Sequence, residues 1–295
     1  MMQRETKFNI TVITFLLFAV TATLFVLQDS RENFFEIERE NITKNNRNNE
    51  AERDNNTNEI IFSSEIPEEK NEIRDIDLTW AIEEYKGKEI SRVNVTEKVI
   101  ALTFDAGANA DGVDPILKIL AENDIKGTFF LTGKFIEKYP GKVQEIIATR
   151  GDLGNHSYNH PYFTHLTNEE IKTEIQGAEN TLAKLDGKFK PFLRSPYGDR
   201  NTGTLLTISE NDYLNIRWTV DSLGWQGTSG GQSKVAVEQK VLKACSPGTI
   251  VMMHLGSNPD DKTHLDSEAL PEIISKLRED GYKFMTLSEM LELEN

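Results

Sequence analysis

The chain has 295 residues and a formal net charge of −15 at pH 7, from 48 acidic side chains against 33 Lys and Arg. That balance excludes nucleic-acid binding through a basic face and a polybasic membrane-surface patch. Cys245 is the single cysteine, which excludes an internal disulfide, and it is expected to be a small buried residue.

Residues 1–7 carry Arg4 and Lys7 ahead of an uncharged, mostly apolar run over 8–27. At about 1.5 Å per residue, a helix of that length crosses a hydrocarbon layer of about 30 Å. The apolar run continues through Leu27 without an Ala-x-Ala cleavage site, so it reads as an uncleaved transmembrane signal anchor. Basic residues before the span place 1–7 in the cytoplasm and everything after it outside. The expectation is a single-pass protein of the cell membrane with an extracytoplasmic catalytic domain, secretion after signal cleavage being the alternative. Residues 28–76 are rich in Asn and Glu and poor in large apolar side chains. They cannot bury enough surface to offset the entropy of ordering, and are expected to form a disordered linker that gives the domain reach.

From 77 to 295 strand-like and helix-like patterns alternate. Strands are expected at 99–104, 127–131, up to 153, 192–194, 214–220, 249–253 and 283–286. Helices are expected at 113–123, 140–149 and 167–185, the last opened by a capping box between Thr167 and Glu170. Repeated βα units specify a parallel sheet, and their number suggests a closed or nearly closed barrel. Trp218 falls inside an apolar stretch and reads as core. His165 and His264 have no motif context and read as surface or loop residues, and the glycine-rich 226–231 reads as a flexible rim.

His156 and His160 are the most informative residues. Four-residue spacing puts two imidazoles on one face of a helical turn, where both can reach a single divalent cation. Asp105 follows the run 99–104 and His254 follows 249–253. Each candidate thus ends a strand-like run, and the carboxyl ends of strands are where βα barrels carry their active sites. The outline is that of a metal hydrolase.

Five ordered segments extend this reading: Thr103-Phe104-Asp105-Ala106-Gly107, His156-Ser157-Tyr158-Asn159-His160, Arg194-Ser195-Pro196-Tyr197, Asp221-Ser222-Leu223-Gly224-Trp225 and Met252-Met253-His254. Together they resemble the motifs of the polysaccharide deacetylases, carbohydrate esterase family four or the NodB-homology domain, over a core of about residues 98–291. The resemblance implies a distorted parallel (β/α) barrel that binds one divalent metal, zinc with cobalt or nickel as alternatives, and removes acetyl groups from N-acetylated sugars. It implies Asp105 as general base, His156 and His160 as metal ligands, Arg194 as the residue holding the base, and His254 as general acid. Tyr197 would offer its backbone N–H to the oxyanion and contact substrate, and Trp225 would line the sugar groove.

Two positions depart from the family pattern. The second carboxylate of the first motif, normally a metal ligand, is Ala106; Asp105 itself, Asp111 or Asn109 would then supply the missing oxygen, or the site binds metal weakly or not at all. Gly224 stands where the family more often has an aspartate paired with the acid histidine, and Asp221 is the expected supporting carboxylate. The expected substrate is a cell-wall or extracellular glycan, with peptidoglycan ahead of chitin oligomers and O-acetylated sugars, and a muramic residue is a further variant. The rival reading is a catalytically silent glycan-binding protein that has lost its metal site.

Overall fold

The computed structural model describes residues 76–294. The expected cytoplasmic segment, membrane anchor and nearly all of the linker lie outside the described residues. Among the described residues no helix is long and apolar enough to cross a membrane.

β2 (Val99–Ala106) organises the domain. All eight of its residues are buried, as a parallel strand covered on both faces requires. It pairs with β3 (Thr128–Leu131) on one side and β8 (Thr249–His254) on the other. Beyond β3 follow β4 (Asp152–Asn155), β5 (Phe192–Leu193), β6 (Leu214–Ile216) and β1 (Glu89–Ile90). Beyond β8 lies β7 (Val220–Asp221), and β9 (Lys283–Phe284) joins the start of β2. These pairings are parallel. The sheet curls until Arg92, just past β1, bridges Thr249 of β8. The expected parallel barrel is thus observed as a curled half-barrel.

The helices are α1 (Thr79–Glu84), α2 (Val113–Glu122), α3 (Gly133–Lys138), α4 (Pro140–Ala148), α5 (Asn168–Ala183), α6 (Thr202–Ser209), α7 (Lys234–Ala244), α8 (Leu265–Glu279) and α9 (Leu287–Glu292). The Thr167–Glu170 capping box opens α5 as expected. The single strand expected over 214–220 is two, because Arg217, Trp218 and Thr219 leave the ladder between β6 and β7.

Strand alternation divides the side chains between two apolar layers. Ile100, Leu102, Phe104 and Ala106 join Phe129 and Leu131 in the layer that packs on the helices. Val99, Ala101, Phe130, Phe192 and Ile250 fill the barrel interior, closed at one end by residues of α1 and α9. Each fully buried Phe or Leu adds roughly 1.5–3 kcal/mol relative to exposure. On the interior face β2 continues as Thr103 and Asp105, and β8 as Met252 and His254. The alternation that builds the core therefore delivers a carboxylate and an imidazole to the open, carboxyl end.

Candidate active site

Arg194 holds the site together from beneath. It is 1% exposed, with its guanidinium carbon 4.0 Å from the centre of the Phe130 ring. Its Nη1 donates to Asp105 Oδ1 at 2.6 Å, Nε to the Ile216 carbonyl at 3.2 Å and Nη2 to the Arg217 carbonyl at 3.1 Å. Burial raises the pKa of Asp105, but the charge of Arg194, with smaller contributions from His156 and His254, outweighs it and holds the carboxyl below its ordinary range.

Arg194 also orients the first histidine. Its carbonyl lies 2.7 Å from His156 Nδ1; a carbonyl only accepts, so Nδ1 carries the proton and Nε2 presents its lone pair. That Nε2 is 3.1 Å from His160 Nε2 and 3.6 Å from Asp105 Oδ2. Burial lowers the pKa of both histidines, that of His160 to about 3 with the neighbouring His156 adding to the effect. Both rings are neutral at physiological pH, the form that ligates metals.

The pair does not sit on a helical turn, contrary to its spacing. Residues 156–160 form a loop after β4, with Ser157 at φ 65° and His160 at φ 64°. Asn155 Oδ1 accepts from the Ser157 N–H, and Ser157 Oγ from the His160 N–H. Glu174 of α5 accepts the N–H groups of Tyr158 and Asn159. Local side-chain acceptors replace helical hydrogen bonds, and the left-handed turns fold His160 back over His156. Tyr197 and Leu223, at φ 59° and 62°, are further non-glycine residues in the left-handed region around the site, where such conformations concentrate.

Asp105, His156, His160, Tyr197, Asp221, Trp225 and His254 line one cavity of about 570 Å³. Tyr197 and Trp225 border it as exposed rings, 58% and 46% accessible, and Tyr197 packs edge-on against His160 at 4.5 Å. Trp218 also lines this cavity; its expected place in the core is corrected, since it lies in the break between β6 and β7. His165 sits in a short 3-10 turn. His264 caps α8, its Nδ1 accepting from the Ser267 N–H.

His254 has a partner that its motifs did not reveal. The Oδ2 of Asp266, in the first turn of α8, lies 3.7 Å from His254 Nδ1 and accepts the His254 backbone N–H at 2.9 Å. Burial depresses the imidazole pKa, but Asp266, followed by Asp105 and Asp221, raises it overall. Asp221 lines the cavity and accepts from the Leu223 N–H, and burial raises its own pKa. The carboxylate beside His254 is therefore that of Asp266.

Ala106 is fully buried in the helix-side layer and does not line the cavity. Asp111 is not brought to the histidines either: it is exposed and its carboxylate accepts from Ser257 Oγ. Asn109 is engaged by the Ser257 backbone. Among the described residues no group of three or more His, Cys, Asp or Glu side chains is placed to hold a metal ion. The histidine pair nonetheless fits a divalent cation. Nitrogens about 2.0–2.1 Å from one ion lie about 3 Å apart at tetrahedral or octahedral angles, which is the observed separation. Asp105 Oδ2, not engaged by Arg194, is the nearest carboxylate oxygen.

Fold and site together define a curled parallel α/β half-barrel with a carboxylate and three imidazoles at the carboxyl ends of its strands. The family profile for polysaccharide deacetylase matches residues 92–216. Over 193 residues the chain is 32% identical to a peptidoglycan-N-acetylglucosamine deacetylase of Bacillus cereus, covering 65% of this chain and 68% of that one. It is 31% identical over 196 residues to the peptidoglycan-N-acetylglucosamine deacetylase PgdA of Listeria monocytogenes, covering 66% of this chain but spanning 39% of that enzyme's length. A solved family-four pseudoenzyme from Bacillus anthracis superposes with a TM-score of 0.65 at 28% identity, covering 72% of this chain and 71% of that one. The chain belongs to the polysaccharide deacetylase family, hydrolases of N-acetyl amide bonds.

Proposed function

We propose that this chain is a metal-dependent deacetylase that removes N-acetyl groups from peptidoglycan outside the cell, held at the membrane by residues 8–27. The observation that carries the reading is the convergence of His156 and His160, with Asp105 on Arg194 and His254 on Asp266 facing the same cavity. The Bacillus cereus and Listeria monocytogenes relatives named above are peptidoglycan-N-acetylglucosamine deacetylases, and a wall polymer is what a tethered domain would meet.

His156 and His160 would hold the divalent ion, zinc first and cobalt or nickel as alternatives, with Asp105 Oδ2 left free beside it. Bound there, such an ion polarises an acetyl carbonyl and acidifies water. The residues do the rest. Asp105 Oδ2 takes the proton of the attacking water, while Arg194 keeps the carboxylate ionised and aimed. The Tyr197 N–H faces the developing oxyanion. His254, protonated through its acidic neighbours, donates a proton to the departing amine, which leaves poorly as an anion. Trp225 offers a face on which a sugar ring stacks, and Tyr197, itself stacked on Tyr162, borders the same groove. The products are acetate and a free amino sugar.

The second reading, a glycan-binding protein without turnover, is favoured by two observations: Ala106 stands where the family has a metal-ligand carboxylate, and the fold matches a pseudoenzyme. Acetate release from peptidoglycan, measured before and after chelation and after zinc is restored, separates the two. Release that disappears with chelator and returns with zinc supports the enzyme. Sugar binding with no acetate under any metal supports the binder.

A further inference from the structure

Gly224 has no side chain, yet the space where one would project is filled. A Cβ built on Gly224 would lie 2.3 Å from Asp266 Oδ1 and 2.5 Å from its Cγ. Asp266 arrives there from α8 and is 2% exposed. A carboxylate so buried is costly unless something answers its charge. Among the described residues the ion-pair partner found for it is His254, with Nδ1 3.7 Å from Asp266 Oδ2 and the backbone N–H also bound there. Both His254 Nδ1 and Asp266 Oδ1 are buried without a hydrogen bond of their own, and a small rotation of the imidazole that closes the 3.7 Å gap to Oδ2 gives Nδ1 its partner.

We propose that Asp266 is a positioning residue that fixes the ring orientation and Nδ1–H tautomer of His254, and that positions 224 and 266 share a single carboxylate site which either residue can supply. Asp266 does not touch substrate. It acts through His254, whose Nε2 is left for the cavity. Glycine at 224 is then a requirement of the arrangement, because any side chain there collides with a buried carboxylate. The proposal deepens the deacetylase reading and rests on it only for the consequence in turnover.

The test uses the full chain labelled with ¹⁵N at its five histidines, with His254→Gln identifying the His254 signal. The wild type is expected to show an exchange-protected, downfield Nδ1–H resonance from His254. Asp266→Ala should lose it, and Asp266→Asn, which keeps the shape if the alanine variant fails to fold, should shift it upfield. Gly224→Asp alone should lower the melting temperature, since two carboxylates compete for one space. The double variant Gly224→Asp/Asp266→Ala should recover both the resonance and the melting temperature. In parallel, kcat for acetate release should fall about 10–100-fold in Asp266→Asn with KM unchanged, as for other residues that orient a site from behind, and should recover in the double variant. An unaltered His254 resonance in both Asp266 variants, or a double variant no closer to wild type than Asp266→Ala, overturns the proposal. A wild type that releases no acetate while the resonance behaves as described defeats the deacetylase reading alone.

Discussion

Arg194 carries more of the site than any other side chain, for one guanidinium holds Asp105 while the same residue's carbonyl sets the tautomer of His156. Removing one partner of a buried ion pair leaves the other charge uncompensated, at about 3–5 kcal/mol. Asp105→Asn should therefore abolish acetate release and also lower unfolding stability by about 3 kcal/mol in urea denaturation; an inactive variant of wild-type stability would mean that the pair is structurally idle. Much of this was legible from residue order. Asp105, His156, Arg194 and His254 each close a short strand-like run, and a buried parallel strand aims its last residues at the open end. The loop carrying the histidines was not legible as a loop, because identical spacing fits a helix and only the acceptors on Asn155, Ser157 and Glu174 decide between them. Asp266 left no signal at all. It is one acidic residue in a helix's first turn, where acids are common for reasons of the helix dipole, and its partner is reached only through tertiary packing.

Strands and long helices followed their hydrophobic periods closely, whereas short elements did not. α3 and β1 hold too few residues to show a period, and the break at Trp218 sits in a stretch whose composition suits an unbroken strand. Contacts between elements are polar at two places that can be tested. Asp152 of β4 accepts from both the backbone N–H and the hydroxyl of Ser288, tying β4 to the start of α9. Asp152→Ala leaves those buried donors unpaired and should cost about 2 kcal/mol, read as a lower urea midpoint with unchanged slope; an unchanged midpoint would show that the tie is not needed. At the sheet edge, Glu89 of β1 accepts from Arg200 and Arg217. Burial raises its pKa, but the two arginines prevail and hold it below the ordinary glutamate range. A depressed carboxylate contributes stability above its unfolded pKa of about 4.3, and loses it as pH falls through the folded value. Glu89→Gln should accordingly be less stable than wild type by about 1 kcal/mol at pH 7, with the difference shrinking as the pH falls below the unfolded value of about 4.3. A gap that persists into acid would point to packing instead of charge.

For the whole domain, the question of enzyme or binder becomes a question of linkage. An ion that binds only the folded state adds RT ln(1 + [L]/Kd), about 2.7 kcal/mol when it is present at 100 times its Kd. In a domain of roughly 220 residues each kcal/mol moves the melting temperature by about 2–4 °C. Zinc added to chelator-treated protein should thus raise the melting temperature by about 5–10 °C. His156→Ala and His160→Ala should each remove most of that rise; His160→Ala should leave the metal-free melting temperature near wild type, because His160 is part-exposed at the open end of the barrel, whereas His156→Ala should lower it, since that buried ring donates to the Arg194 carbonyl. The shift requires no substrate and no turnover, so it reports on the ion alone. A wild type indifferent to zinc, cobalt and nickel would mean that two imidazoles do not make up for the carboxylate absent at Ala106. The cavity would then remain what its aromatic rim allows without a metal, a surface for gripping sugar.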